Sequence, residues 1–328
     1  MAKLKDNSIK KIILNNKGII AVLIILIILL VITTPTFLTV SNLITLTQQI
    51  TNNVFIALAM TLVIITGGID LSVGAIVALA GTISVGLIVD FGLSVPIAVL
   101  LALILGIIIG TFNGLIITRF SLPPFIVTLG SMNIVRGFAY IYTGGSSMRI
   151  TNDLFNDIGT YRIFGMIPIS IAYMIVFIIL FSILLSKSKY GTYIYAIGGN
   201  REASRFSGLN IANTELFVYV ISGFMAAFAG VVLAAKMYSA QPSVGQGYEM
   251  NAIAACVLGG VSMTGGIGSV SGTVFGAIVI GIVSNGLNLL GISSFWQLVV
   301  MGIIILIAVI IDSKKNYLLN RKNKSDKK

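Results

Sequence analysis

Amide side chains recur at helical spacing inside stretches that are otherwise apolar. Gln48 and Asn52 are four residues apart, on one face of a predicted helix. A second polar face combines Asn133 with Arg136, and an arginine facing lipid at the bilayer centre would cost roughly 2.5–3.5 kcal/mol. Such side chains could line a translocation pathway for a sugar or another neutral polar solute. They could equally hydrogen-bond neighbouring helices, and both interpretations stay open.

Carboxylates occur where glycines interrupt the apolar pattern. Asp70 lies in the stretch 67–74 (GGIDLSVG), and Glu249 comes just before Asn251 at the start of another apolar stretch. A carboxylate there could couple transport to a proton or sodium ion. It could also cap a helix, because helix N-termini favour negative charge. Capping is the preferred interpretation, and Asp70, Glu249 and Asn251 remain candidates for the pathway.

The composition excludes several kinds of chemistry. The chain has no histidine and one cysteine, Cys256, which excludes disulfides, Cys/His metal sites and histidine-based acid–base catalysis. Glycine pairs at 259–260 and 265–266 lack the lysine of a GxxxxGK(S/T) phosphate loop. We therefore expect no catalytic residue, no metal and no cofactor in this chain. If ATP drives its function, the ATPase must be another polypeptide.

The elements that must position these residues are membrane-spanning helices. Of 328 residues, 57% are apolar and 9% are charged, and the mean hydropathy is +1.05. A soluble domain carries about 25% charge. The pattern predicts an all-α polytopic membrane protein, forming a single domain over 1–328. Ten spans are predicted, at 18–34, 42–66, 72–90, 93–118, 122–143, 166–186, 214–235, 249–263, 266–291 and 294–312.

Basic residues predict the orientation of these spans. If the N-terminus is cytoplasmic, 17 of the 21 Lys and Arg residues fall in cytoplasmic segments, including a basic tail at 313–328. The positive-inside rule therefore predicts two cytoplasmic termini. The basic segments are interpreted as topology signals and not as a nucleic-acid site, so no nucleic acid is expected as a partner. The expected location is the bacterial cytoplasmic membrane, in contact with lipid.

Two similar segments predict an inverted repeat. Residues 110–115 (GTFNGL) in the fourth span resemble residues 281–287 (GIVSNGL) in the ninth. The offset of five spans is odd, so the two copies have opposite orientation, an arrangement typical of transporters. Spans 2–5 would then correspond to spans 7–10. Glycines spaced by four residues in the fourth and ninth spans predict close helix packing.

The one long polar segment between apolar spans comprises residues 187–213. Asn200 is a suitable N-cap for a short helix over 201–207, and Gly208 is suitable for ending it. Ala203 and Phe206 would lie on one side of this helix. A two-turn helix is not stable alone in water, so it needs a surface to bind. The alternative is a solvated basic loop.

Five motifs resemble ribose-type permeases, the membrane subunits of bacterial ABC sugar importers. They are 193–210 (YIYAIGGNREASRFSGLN), 67–74 (GGIDLSVG), 239–249 (SAQPSVGQGYE), 252–260 (AIAACVLGG) and 285–291 (NGLNLLG). The resemblance covers nearly the whole chain, in order. It departs at Asn251, where an acid is expected, which puts a charge-dependent role there in doubt.

The resemblance implies partners and a docking site. A permease of this type works as a pair, either two identical or two related chains, with an extracytoplasmic sugar-binding protein outside and ABC ATPase subunits inside. The outer loop 144–165 would help to receive the binding protein. The residues implied to dock the ATPase are Asn200, Arg201, Glu202, Ala203, Arg205, Phe206 and Gly208.

The expected function is import of a monosaccharide, D-ribose before other pentoses, driven by ATP hydrolysis in a partner. One alternative keeps this mechanism with another sugar, a nucleoside or a branched-chain amino acid as cargo. Another is a secondary transporter that uses Asp70 and Glu249 for ion coupling. A passive channel is disfavoured, because it would not need a docking helix.

Overall fold

A computed structural model describes residues 16–325, with side chains described for 16–310. The lysines before residue 16 and the side chains of the predicted basic tail 313–328 lie outside this part. In chain order the elements are α1 (Lys17–Thr33), α2 (Val40–Ile65), α3 (Val73–Val89), α4 (Val95–Phe120), α5 (Pro124–Thr143), β1 (Met148–Arg149), α6 (Asp153–Thr160), β2 (Arg162–Ile163), β3 (Ile167–Pro168), α7 (Ile169–Lys187), α8 (Lys189–Gly199), α9 (Arg201–Phe206), α10 (Ile211–Met237), β4 (Ser239–Ala240), α11 (Tyr248–Leu258), α12 (Val270–Leu289) and α13 (Ser294–Ser325).

The fold is all-α and polytopic, as predicted. Within residues 16–325, six helices are long and apolar enough to cross a membrane, namely α2, α4, α5, α7, α10 and α12. Four shorter apolar helices, α1, α3, α11 and residues 294–310 of α13, occupy the remaining predicted spans. The short eighth span is confirmed, since α11 has only 11 residues. Helix α13 continues past the predicted end of the tenth span at residue 312.

The core lies around α2, α3 and α10. Apolar side chains from Val54 to Ile65 of α2 are almost wholly buried, as are most of those in α3. By contrast α7 and α13 expose many apolar side chains. In water this exposure would be unfavourable, whereas hydrocarbon accommodates it. The chain therefore forms a tightly packed centre with a lipid-compatible surface.

Loops define two ends of the bundle. The polar-segment end carries residues 187–213 and the turn at 121–123 between α4 and α5. The hairpin end carries the β2–β3 hairpin at 162–168, and there β1 pairs with β4. The Tyr142 hydroxyl donates to Asp90 Oδ2 at 3.1 Å at the same end. The predicted outer loop 144–165 thus contains two short strands and α6.

The helix contacts agree with the predicted inverted repeat. Helix α4 packs along α10, and its counterpart α12 packs along α2. Helix α3 contacts α4, α5 and α10, while the corresponding α11 contacts α12, α13 and α2. Exchanging each span with the one five places later therefore reproduces the main contacts. The two halves have opposite orientation with the same internal packing, as in inverted-repeat transporters.

Glycines permit the closest helix approaches, as predicted from their spacing. A Cβ built on Gly106 of α4 would lie 2.4 Å from the Gly223 carbonyl oxygen of α10, and one on Gly223 would lie 2.1 Å from the Gly106 oxygen. In the other half, a Cβ on Gly276 would lie 1.9 Å from the Ala255 oxygen of α11. Backbone contact of this kind excludes any side chain.

Two non-helical stretches enter the bundle. Residues 66–72 separate α2 from α3, which confirms the predicted break at Gly67 and Gly68, and residues 241–247 precede α11. The start of α3 and the stretch 241–247 are in backbone contact: a Cβ on Gly74 would lie 2.2 Å from the Gly245 oxygen. Irregular backbone at membrane depth is tolerated only where protein or a polar cavity surrounds it. These stretches are therefore natural places to look for functional groups.

Candidate functional site

The polar segment contains two helices, where the sequence predicted one. Helix α9 (Arg201–Phe206) has the predicted cap: Asn200 Oδ1 accepts the Ala203 N–H at 2.9 Å. It also has the predicted end, since Gly208 adopts a φ of +77° and the Leu209 N–H donates to the Ser204 oxygen. The additional helix α8 is capped by Ser188, whose Oγ accepts the Gly191 N–H.

Helix α9 presents most of its surface outward. Ser204 is buried against the bundle, whereas Glu202, Ala203 and Arg205 are exposed. Phe206 is 86% exposed, which is unusual for a phenylalanine side chain on a water-facing surface. Within the part of the chain that the structure describes, an apolar side chain flanked by charges is thus available to a partner. The residues predicted to dock an ATPase are together here, and their role stays a prediction.

Arg201 is held by its own chain. Its guanidinium forms a two-pronged ion pair with the carboxylate of Glu215 in α10, with Nη2 to Oε2 at 3.0 Å and Nη1 to Oε1 as the second contact. Glu215 is almost buried, whereas about half of the Arg201 side chain is exposed. Bidentate pairs of this kind fix geometry as well as charge. The first residue of α9 is therefore anchored to α10.

Helix α8 contacts the end of α2 and the start of α10. A Cβ on Gly198 would lie 1.7 Å from the Ile65 oxygen, at the end of α2, where that oxygen also accepts the Gly266 N–H. The Tyr190 ring stacks on Phe217 of α10 at 4.5 Å. Helix α8 is therefore packed directly against the ends of α2 and α10.

The loop before α12 is also tied to α8. The Tyr195 hydroxyl donates to the Gly268 carbonyl at 2.9 Å. Burial raises the pKa of the Tyr195 hydroxyl, so it remains a protonated donor at neutral pH. The polar segment therefore contains two helices that contact the bundle, while much of α9 stays exposed.

Asp70 is enclosed in a network of hydroxyl groups. Its Oδ1 accepts the Ser72 N–H at 3.0 Å and the Ser72 hydroxyl at 2.6 Å, while Oδ2 accepts the Ser222 hydroxyl of α10 at 2.6 Å. Asn113 of α4 donates to Ser72 Oγ at 2.9 Å. Asp70 is fully buried, so the network supports the local turn before α3 and joins α3, α4 and α10.

Arg136 and Glu249 hold the second non-helical stretch. Arg136 Nη1 donates to the Pro242 oxygen at 2.7 Å and to the Val244 oxygen at 2.6 Å, so the guanidinium faces protein, as its cost in lipid requires. Glu249 Oε1 accepts the Gly247 N–H at 3.2 Å, just before α11. The two charges are close enough to interact electrostatically. Together they fix the stretch 241–247.

The remaining predicted pathway residues are dispersed. Asn251 lines an open groove of about 680 Å³ between α11, α12 and α13, together with Gln246, Ser284 and Gln297. Gln48 and Asn52 lie on α2, half-buried and buried, while Asn133 is exposed on α5. Arg136 and Glu249 thus hold the same stretch, 241–247, and the structure does not join all seven residues in one site. Their role in a pathway stays a prediction.

Several residues that form these contacts were not predicted from the sequence. Glu215 and Ser222 lie in an apolar helix, and their partners Arg201 and Asp70 are 14 and 152 residues away. The isolated acid in the second turn of a membrane helix was the available signal. Asn113 and Asn285 were noted only as a repeat; both are buried, and Asn285 exchanges two hydrogen bonds with Asn42.

Among the described residues there is no cluster of three His, Cys, Asp or Glu side chains that could hold a metal ion. Cys256 is buried and is surrounded by Thr61 and the Ala57 carbonyl. The contacts described above pack the helices against one another and position the exposed surface of α9. The described side chains offer acids, amides and hydroxyls as solute ligands.

Comparison with known proteins gives a family match over most of the chain. The family described as branched-chain amino acid transport system / permease component matches residues 42–309. The ribose import permease protein RbsC of Bacillus subtilis is 44% identical over 284 residues, which are 86% of this chain and 88% of that protein.

Two further relatives also match over most of their length. RbsC of Escherichia coli K12 is 41% identical over 307 residues, covering 92% of this chain and 95% of the relative. The L-arabinose transport system permease protein AraH of E. coli K12 is 39% identical over 281 residues, covering 86% and 85%. No solved structure gives a significant match.

Proposed function

Because this chain belongs to the family of permease components of binding-protein-dependent ABC transport systems, we propose that it is the transmembrane subunit of a monosaccharide importer with D-ribose as its cargo. The observation that carries the proposal is the identity of 41–44% to ribose import permeases over 86–92% of the chain. The chain supplies the passage through the bacterial inner membrane, and a separate ATPase subunit supplies the energy.

The choice of ribose rests on the relatives named for ribose import, and another relative is named for L-arabinose transport. Both are neutral pentoses, for which amide and hydroxyl groups are suitable ligands. Another monosaccharide, a nucleoside or a branched-chain amino acid is the alternative cargo under the same mechanism.

The polar segment is the proposed contact with the ATPase. Helix α9 presents Glu202, Arg205 and Phe206 outward, and Arg201 ties it to α10. Closure of the ATPase on ATP would move α8 and α9, and the contacts at Gly198 and Phe217 would pass this movement to α2 and α10. In this proposal the polar-segment end and both termini are cytoplasmic, in accord with the positive-inside rule.

The hairpin end is the proposed receiving surface for the sugar-binding protein. Residues 144–165 form a folded platform there, with α6 packed on α10. A second copy of the chain completes the permease. The exposed apolar faces of α7 and α13 then meet lipid or that second copy.

Ion-coupled secondary transport is the main rival. It would require a carboxylate that gains and loses an ion during the cycle. Asp70 is poorly suited, since it is fully buried and accepts three hydrogen bonds from neighbouring serines. The ABC mechanism needs no titrating carboxylate in this chain.

Reconstitution tests the proposal. The chain, its ATPase and its binding protein are placed in liposomes loaded with ATP, and uptake of labelled ribose, arabinose and leucine is followed. We expect ribose uptake that stops with an ATPase-inactive partner and persists with an uncoupler at constant ATP. Uptake that an uncoupler abolishes at constant ATP would instead support the secondary transporter, and preferred leucine uptake would change the cargo.

A further inference from the structure

A cleft of about 310 Å³ lies at the polar-segment end, apart from the groove and the non-helical stretch 241–247. It opens between the first residue of α9 and the turn that joins α4 to α5. Its walls are 66–68, Ile117, 121–124, Arg201, Glu215 and Tyr219. The size is at the lower end of the range for small-molecule sites, which is roughly 300–1,000 Å³.

Tyr219 lines this cleft, and the fold does not account for its buried hydroxyl. Tyr219 is 1% exposed, and among the described residues its Oη has no hydrogen-bond partner. The ring packs against the chain at Gly68, where a Cβ would lie 2.5 Å from Oη. A buried hydroxyl is normally paired, so Oη is a candidate hydrogen-bonding group for a molecule bound in the cleft.

The charges of the cleft favour a neutral ligand. Arg201 and Glu215 already neutralise each other across its wall. A charged ligand would have to compete with that pair, whereas hydroxyl groups can accept from the guanidinium and donate to the carboxylate. The apolar walls, Ile117 and Leu122 with two prolines, suit the C–H face of a sugar ring. The chemistry that fits is a small neutral polyol.

We infer that this cleft binds the imported monosaccharide on the side where it is released, and that this binding slows further import. The inference rests on the proposed function. The cleft lies between α9, which contacts the ATPase in that proposal, and the ends of α2 and α4. A sugar that touches both sides stabilises their present spacing, and a ligand shifts a conformational equilibrium by its differential affinity for the two states. Accumulated product would thereby hold the permease in one state.

Initial uptake rates with and without product inside test the inference. Liposomes loaded with ATP, and with or without about 10 mM unlabelled ribose, a concentration that occupies millimolar sites, receive binding protein and labelled ribose outside. We expect internal ribose to lower the wild-type rate about fivefold or more. In Tyr219→Phe the ratio of the two rates should return close to one, since the unpaired hydroxyl is the lost contact. Tyr161→Phe, the same change on an exposed tyrosine at the hairpin end, should keep the wild-type ratio.

Direct binding separates this inference from the proposed function. Labelled ribose is titrated onto the permease–ATPase complex in nanodiscs without binding protein, and loss of one hydrogen bond should weaken binding about tenfold in Tyr219→Phe. Equal binding by both forms, or no binding up to about 10 mM, overturns the inference while leaving ATP-driven uptake intact. Absence of ribose uptake overturns the proposed cargo, and the nanodisc titration still decides whether the cleft binds the sugar.

Discussion

The guanidinium of Arg201 and the carboxylate of Glu215 join the polar segment to the core of the bundle. Arg201 begins the exposed helix α9, and Glu215 lies in the second turn of the central helix α10. Because Glu215 is nearly buried, the pair orients the start of α9 against the bundle. The exposed part of α9 remains free to contact another protein.

Separating this pair should uncouple the transporter. In Glu215→Gln the charge-assisted contact is lost, and such contacts contribute about 1.5–3 kcal/mol. We expect uptake of ribose to fall about tenfold while ATPase binding persists. The double exchange of Arg201→Glu with Glu215→Arg restores opposite charges and should recover part of the uptake. Equal uptake by Glu215→Gln and the wild type would contradict the role of the pair.

The exposed charges of α9 should be needed for docking. Glu202→Ala combined with Arg205→Ala removes both charges that flank Phe206, without touching the bundle. We expect normal membrane insertion with loss of ATPase copurification or of uptake. Ser207→Ala, an exposed change on the same turn, serves as the control. Normal copurification and uptake in the double variant would refute docking through α9.

Neighbouring glycines in α8 offer a matched test of the junction with α2. Gly198→Ala places a methyl group against the Ile65 carbonyl, whereas a Cβ on Gly199 meets nothing within 4 Å. Overpacking typically costs about 1–3 kcal/mol. We expect lower thermal stability and impaired coupling in Gly198→Ala only, measured by melting of the purified protein and by uptake. Wild-type melting and uptake in Gly198→Ala would show that the junction accommodates the methyl group and would contradict this prediction.

Asp70 should act through stability and not through ion coupling. Asp70→Ala leaves the Ser72 and Ser222 hydroxyls without their acceptor, at about 1–3 kcal/mol for each unpaired group. We expect lower yield and a lower melting temperature, with ATP-dependent uptake retained by the folded fraction. Asp157→Ala, an exposed acid at the hairpin end, should change neither quantity. Normal melting of Asp70→Ala together with loss of all uptake would favour a direct role in transport.

Arg136 should be needed to hold the stretch 241–247. Arg136→Leu removes two hydrogen bonds to carbonyl oxygens of that stretch, and uptake should fall at least about tenfold. Arg136→Lys keeps the positive charge and a donor group, though not the guanidinium geometry, and should retain part of the activity. Arg162→Leu at the hairpin tests for a general effect of losing a positive charge. Wild-type uptake in Arg136→Leu would exclude Arg136 from the pathway and its support.

The sequence was sufficient for features that are local along the chain. Asn200 begins and Gly208 ends their helix as predicted, because caps are set by a few neighbouring residues, and the all-α polytopic fold follows from composition. Helix α8 was missed because its polar face and glycines resemble a loop. The partners of Arg201, Asp70 and Arg136 could not be predicted, since each lies on another helix whose rotation and depth are set by packing across the bundle. The unpaired hydroxyl of Tyr219 is likewise visible only in three dimensions.

The glycines of α4 and α10 let these two helices pack with their backbones in contact. A Cβ on Gly106 or on Gly223 would lie within 2.4 Å of a carbonyl oxygen of the other helix, so a tilt of one helix would press on the other. Helix α10 has 27 residues and is therefore about 40 Å long. Helix α9 is fastened near one end of α10 and β4 follows the other end, so α10 joins the polar-segment end to the hairpin end. In the proposed mechanism, a displacement of α9 by the ATPase would therefore be carried along α10 to the end that receives the sugar-binding protein.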